Sequence, residues 1–143
     1  MRIGILTQAL TTNYGGILQN YALQTVLRDT GSEVWTLDIG KSSWREWGMH
    51  TLKTFIKKIL GRQAKFMVSP IKKERQERPL RKFVRNNINL TTPRTKLPAR
   101  DIVSRYSFDC IIVGSDQVWR PCYNYGFINE LFLSFTKGMD IKR

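Results

Sequence analysis

Apolar residues along this chain follow two different periods, and the change of period marks the elements. Arg2–Leu6 is a short apolar run that reads as a buried strand. A polar loop, TQALTTNYGG at 7–16, follows it. Ile17–Arg28 then reads as an amphipathic helix. Leu18, Tyr21, Ala22, Thr25 and Val26 recur at three- and four-residue steps and form its expected buried face. Gly31 is placed to stop that helix. Glu33–Ile39 alternates, with Val34, Trp35, Leu37 and Ile39 apolar, and reads as a second strand. Strand, helix and strand joined by short loops make a βαβ unit, which builds a parallel sheet.

Past Gly40 the pattern becomes helical. Trp44–Leu60 carries Trp47, Leu52, Phe55, Ile56 and Ile59 at helical spacing. Pro70 interrupts, and Ile71–Ile88 resumes with Leu80, Phe83 and Val84, with a break expected near Pro79. The stretch 43–88 therefore reads as a helical insertion between sheet strands, with Trp44, Trp47, Phe55, Phe66 and Phe83 as its own core. NLTTPRTKLP, 89–98, is a turn-rich connection. A short helix over Ala99–Tyr106, a third strand over Phe108–Val113, a turn at Asn124–Gly126 and a fourth strand over Glu130–Phe135 complete the pattern. The reading is an α/β domain with a parallel sheet. Such sheets usually carry more strands, so the chain is expected to be the N-terminal part of a longer protein.

Charge sharpens this picture in one place. The net charge is +13, and segment 57–85 holds eleven Lys/Arg against two Glu. The basic character belongs to that segment and points to an anionic partner: a solvated basic face at its simplest, otherwise an anionic membrane or glycan, or nucleic acid. No apolar run approaches the roughly 20 residues of a membrane span. The N-terminus lacks a signal-peptide cleavage pattern, so a cytoplasmic location is expected. Cys110 and Cys122 have neither metal-site spacing nor a secretory context and read as reduced, structural cysteines.

In a parallel sheet, ligands bind beyond the carboxyl ends of the strands. Two polar loops fall there. The first is Thr7–Gly16, where Asn13, Tyr14 and Gly15 precede a helix start that can hold an anion. The same loop also reads as a simple cap, with Thr12 or Asn13 accepting a helix N–H. It is neither a dinucleotide fingerprint nor a P-loop. The second is Gly114–Trp119, in which Gly114 lets the backbone turn. Ser115 or Asp116 caps a turn, or Asp116 and Gln117 bind hydroxyls in the crevice. Ser115 lacks a nucleophile elbow, and the lone His50 lies far away in sequence. The carboxylates Asp29, Glu33, Asp38 and Asp109 form no glycosidase-like pair, and no metal-ligand spacing is present.

Taken together, Asn13-Tyr14-Gly15, Leu18-Gln19, Tyr21-Ala22-Leu23-Gln24, the strand-end run Gly114 to Trp119, NINLTT after the basic insertion and ELFLSF resemble the polysaccharide pyruvyl transferase family. The resemblance runs along essentially the whole chain. It implies a Rossmann-like first half of a two-domain, glycosyltransferase-B-like architecture, with the C-terminal donor-binding domain absent from this chain. It implies transfer of a pyruvyl group from phosphoenolpyruvate, the donor substrate, to a sugar of a polysaccharide as a ketal, in cell-surface glycan biosynthesis. No further cofactor is implied. Asn13, Tyr14, Gly15, Ser115, Asp116 and Gln117 are the expected acceptor-side residues, with the catalytic acid unassigned. The chain alone is expected to be inactive. A nucleic-acid-binding module and a glycosyltransferase or nucleotide-sugar-binding domain are the competing expectations.

Overall fold

A computed structural model describes residues 1–11, 13–39, 70–92, 99–114, 116–120 and 128–142. The expected helix over Trp44–Leu60, the turn at Asn124–Gly126, Ser115, Cys122 and His50 lie outside them. Two compact units divide the chain: Met1–Gly40 with Leu80–Arg143, and Lys41–Pro79. Of the second unit only 70–79 is described.

The first unit is built on three parallel strands in the order β2-β1-β3. They are β1 (Arg2–Leu6), β2 (Glu33–Thr36) and β3 (Cys110–Val113). Ile3 stands opposite Val34 on one side and Cys110 on the other. A parallel strand buried on both faces needs apolar residues along its length, and Ile3 to Leu6 of β1 supply them, with only Arg2 at its start exposed. Ile3 and Ile5 point to one face with Val34, Ile112, Leu23 and Leu27. Leu6 points to the opposite face with Leu37, Ile111 and Phe108. Gly4 also faces that second layer. A Cβ there would come within 3.0 Å of the Phe108 ring and 3.1 Å of Leu37, so glycine is what lets the aromatic lie against the strand.

Helix α1 (Tyr14–Asp29) covers the first face. Its start lies three residues ahead of the expected Ile17. Asn13 is the cap, and its Oδ1 accepts the Gly16 N–H at 3.2 Å. A Cβ at residue 15 or 16 would lie 3.3 Å from the Asn13 amide, so the paired glycines leave room for this cap to close. The helix ends at Thr30 and Gly31, whose φ of 79° lies in the left-handed region that glycine tolerates.

The buried face of α1 differs from the expected one. Ile17, Asn20 and Gln24 are buried, whereas Leu18, Tyr21 and Val26 are exposed. Two polar amides replace apolar residues on the inner face because they have partners there. Asn20 Nδ2 donates to Thr36 Oγ1 at 2.9 Å, and Gln24 Nε2 donates to the Asn89 carbonyl at 3.1 Å. Gln24 Oε1 accepts the Asn89 N–H at 2.8 Å. A buried amide satisfied in this way costs little and fixes register.

Helix α2 (Pro70–Asn87) runs through Pro79, where a break was expected. Proline removes one intrahelical hydrogen bond there, and the boundary between the two units falls at this residue. Within the first unit, Val84 and Ile88 pack on Ile17, with Leu80, Phe83, Leu10 and Leu90 around them. The chain then passes beside β2. Thr36 N–H donates to Asn89 O and Thr91 N–H to Thr36 O, which adds a short parallel bridge at Leu90. Helix α3 (Arg100–Tyr106) covers the second face through Ile102 and Val103.

ELFLSF is not a strand. Helix α4 (Ile128–Leu131) is followed by a 3-10 turn over Ser134–Thr136, with Leu133 at φ 61°. Leu131, Leu133 and Phe135 are all buried and Phe132 is exposed. The period-two burial implied by the sequence is present, but a left-handed residue between two short turns produces it. The position beside β3 is taken by Lys142, which accepts from Ile111 N–H and donates to Asp109 O.

Candidate functional site

Connections leave the sheet on opposite faces around β1. The β1–β2 crossover, α1, lies on one face, and α3, which leads into β3, lies on the other. Beyond the carboxyl ends of β1 and β3 this parting of the chain opens a crevice, the position where parallel sheets bind ligands. A cavity of about 140 Å³ sits there, lined by Thr7, Gly16, Gln19, Asn20, Leu23 and Gly114.

Each wall has a local cause. Thr7 directly follows β1 and is buried. Gly114 directly follows β3, and its N–H donates to Leu6 O at 2.9 Å. Its φ is not in the left-handed region. Glycine also serves closeness there: a Cβ would lie 3.3 Å from Leu23 and 3.6 Å from Ile5. Gly16, Gln19, Asn20 and Leu23 come from successive turns of α1. Most of the cavity wall is apolar; the Thr7 hydroxyl and the Gln19 amide are its hydrogen-bonding side chains, since the Asn20 amide is engaged with Thr36, and none of the six described lining residues is charged.

The two strand-end loops meet. Gln8 Nε2 donates to the backbone carbonyl of Gln117 at 3.2 Å. Gln117 belongs to a 3-10 turn, Asp116–Trp119, whose Val118 is fully buried in the core. Asn13, Tyr14 and Gly15 sit at the exposed start of α1, where Asn13 is the helix cap and Tyr14 is 67% exposed. None of these three lines the cavity, nor does Gln117. Asp116 opens the 3-10 turn, and Ser115 lies outside the described residues. The cavity wall formed by Gln19, Asn20 and Leu23 escaped the sequence reading. Its signal was present in the 17, 20, 24, 27 spacing of Ile17, Asn20, Gln24 and Leu27, a stripe hidden by its two amides.

Cys110 has a thiol pushed above its ordinary value of 9.0, first by burial and then by Asp109, with Lys142 opposing. It stands at the start of β3, at the far end from Gly114. A neutral thiol there is a poor nucleophile. Among the described residues, no three His, Cys, Asp or Glu side chains gather as a metal site, and no helix is long and apolar enough to cross a membrane. The fold and crevice define a small α/β protein with a mostly apolar cavity beyond a parallel sheet. The chain matches no family model, no curated protein and no solved structure.

Proposed function

We propose that this chain forms the acceptor-facing, Rossmann-like domain of a polysaccharide pyruvyl transferase of glycosyltransferase-B-like architecture. The observation that carries this reading is the small cavity where β1 and β3 end, mostly apolar in its wall, with the Thr7 hydroxyl and the Gln19 amide among its described lining residues. Sugar hydroxyls are neutral donors and acceptors, and side-chain amides match them in both roles. A phosphate needs cations or a cluster of N–H donors, and the described residues lining the cavity include no cation. In this reading phosphoenolpyruvate is held by a further domain, and ketal formation takes place where the two meet. Asn13, Tyr14 and Gly15 at the helix start, with Ser115, Asp116 and Gln117 after β3, form the rim toward the acceptor. The basic segment 57–85 contributes contact with an anionic glycan; Arg75, Arg78, Lys82 and Arg85 are exposed on α2.

The test is amide NMR of this chain titrated separately with neutral oligosaccharides, phosphoenolpyruvate, nucleotide sugars and a generic oligonucleotide. The expected result is that oligosaccharides shift Gly16 and Gly114 while phosphoenolpyruvate leaves them in place. Shifts there with nucleotide sugars alone would favour a glycosyltransferase and sink the proposal. A steeply salt-dependent response to the oligonucleotide, with none to sugars, would favour a nucleic-acid module.

A further inference from the structure

Helix α1 presents an exposed face that no charge interrupts. From Tyr14 to Leu27 its sequence holds no Lys, Arg, Asp or Glu. The exposed side chains over those turns are Tyr14, Leu18, Gln19, Tyr21, Ala22 and Val26. A surface helix ordinarily carries charged residues opposite its buried stripe. Here Leu18 is 54% and Val26 61% exposed, away from the buried Ile17, Asn20 and Gln24. We propose that this face of α1, with Lys82 and Arg85 of α2 beside it, docks the protein on an anionic membrane surface. The inference is independent of the acceptor reading.

The contact between the two helices fixes the arrangement, and all the residues concerned belong to the same compact unit. The rings of Tyr21 and Phe83 meet edge-on, with centroids 5.5 Å apart and planes at 74°. Ile17 packs with Val84 and Ile88. On α2, Val84 and Ile88 are buried, Phe83 is half-buried, and Lys82, Arg85 and Asn86 are exposed. Successive residues of a helix turn by about 100°, so Lys82 and Arg85 share one side, turned away from Val84 and Ile88. Cations therefore flank the aromatic contact that joins α2 to the apolar face of α1. Nothing acidic in the sequence offsets them locally: Leu80–Thr92 carries Arg81, Lys82 and Arg85 and no Asp or Glu. Arg75 and Arg78 precede them on α2 and remain for the glycan contact.

Charge and apolar chemistry together select the occupant. A net charge of +13 draws the chain toward any anionic surface. The apolar face decides among such surfaces. Leu18, Ala22 and Val26 are aliphatic. They offer nucleic-acid bases no ring to stack on, and they offer a hydroxylated glycan no hydrogen bond. A lipid surface takes both halves. Apolar side chains enter the boundary between headgroups and acyl chains, while adjacent Lys and Arg meet the anionic headgroups. Tyr14 and Tyr21, each an apolar ring with a polar hydroxyl, suit the depth where membrane meets water. Protein interfaces, by contrast, are depleted in Lys.

The experiment is cosedimentation of the full chain with vesicles of phosphatidylcholine alone and of equal parts phosphatidylcholine and phosphatidylglycerol. The chain is expected to bind the mixed vesicles and not the neutral ones. Leu18→Gln and Val26→Gln are each expected to weaken binding by about tenfold or more, because each takes apolar groups out of the lipid boundary. Lys82→Ala and Arg85→Ala should each weaken it by about fivefold. All four side chains are exposed, and unchanged thermal unfolding will show that the variants fold. No binding to the mixed vesicles, or equal binding to the neutral ones, would overturn the inference. Binding that the cation variants weaken but Leu18→Gln and Val26→Gln leave unchanged, and that an oligonucleotide or an anionic polysaccharide competes away, would assign the cations to a soluble polyanion and overturn it. Concentration-dependent self-association that Leu18→Gln abolishes, without vesicle binding, would assign the face to a second copy and overturn it too. No sugar ligand is scored in the parent binding, so each result leaves the acceptor reading to its own test.

Discussion

At the scale of single residues, Gly4 and Cys110 show how closely packed the sheet is. Gly4 lies in the central strand under the Phe108 ring, and both Phe108 and Leu37 are buried and held from other sides. Neither can retreat without disturbing the second layer. Gly4→Val is expected to destabilise the chain by about 1–3 kcal/mol through overpacking, read as a lowered urea midpoint with an unchanged slope. An unchanged midpoint would mean that the Phe108 ring can shift freely. Cys110 gives a pH signature. Its folded thiol is raised above 9.0 by burial, so the folded chain holds its proton where the unfolded chain has lost it. The stability this contributes is complete below the unfolded pKa and is lost as pH rises through the folded value. Urea midpoints taken at about pH 8 and about pH 10 should fall in the parent chain more than in Cys110→Ala. Equal falls would remove Cys110 as the cause.

Among the elements, α1 is the one whose two faces exchange roles. The apolar count favours Leu18, Tyr21, Ala22, Thr25 and Val26, yet the helix turns Ile17, Asn20 and Gln24 inward. The inner face wins because Thr36 and the backbone at Asn89 offer partners for both amides, and because Ile17 fills a gap against Val84 and Ile88. The two faces predict opposite responses. Ile17→Ala should cost about 2–5 kcal/mol, as large-to-small changes in a core do. Leu18→Lys should stay within about 0.5 kcal/mol, as exposed substitutions do. Thermal unfolding of both variants checks this, and a larger loss in Leu18→Lys would reinstate the face read from sequence. The ELFLSF segment carries a related lesson. Burial alternates along it as the pattern implies, but Leu133 achieves the alternation in a turn, and strand-like periodicity alone cannot distinguish the two.

For the whole molecule, the sequence by itself determined the α/β class, strands β1 to β3 and helices α1 to α3, though not α4, which it read as a fourth strand. These follow from local spacing: β-branched runs for strands, three- and four-residue steps for helices, Asn13 and Gly31 for the ends of α1. It also placed two polar loops at strand ends, and those loops do meet through Gln8 and Gln117. Only the tertiary structure decided what lies between them. The cavity joins Thr7, four residues of α1 and Gly114, which come together because β1 and β3 are neighbours in the sheet. The Tyr21–Phe83 pair likewise joins separate segments. It also decided which stripe of α1 is buried, that ELFLSF forms turns and not the expected fourth strand, and that Lys142 pairs at the edge of β3. The physical reason is the same in each case. Periodicity reports how side chains are distributed around one element, whereas burial and pairing depend on the complementary groups that another part of the chain brings to it.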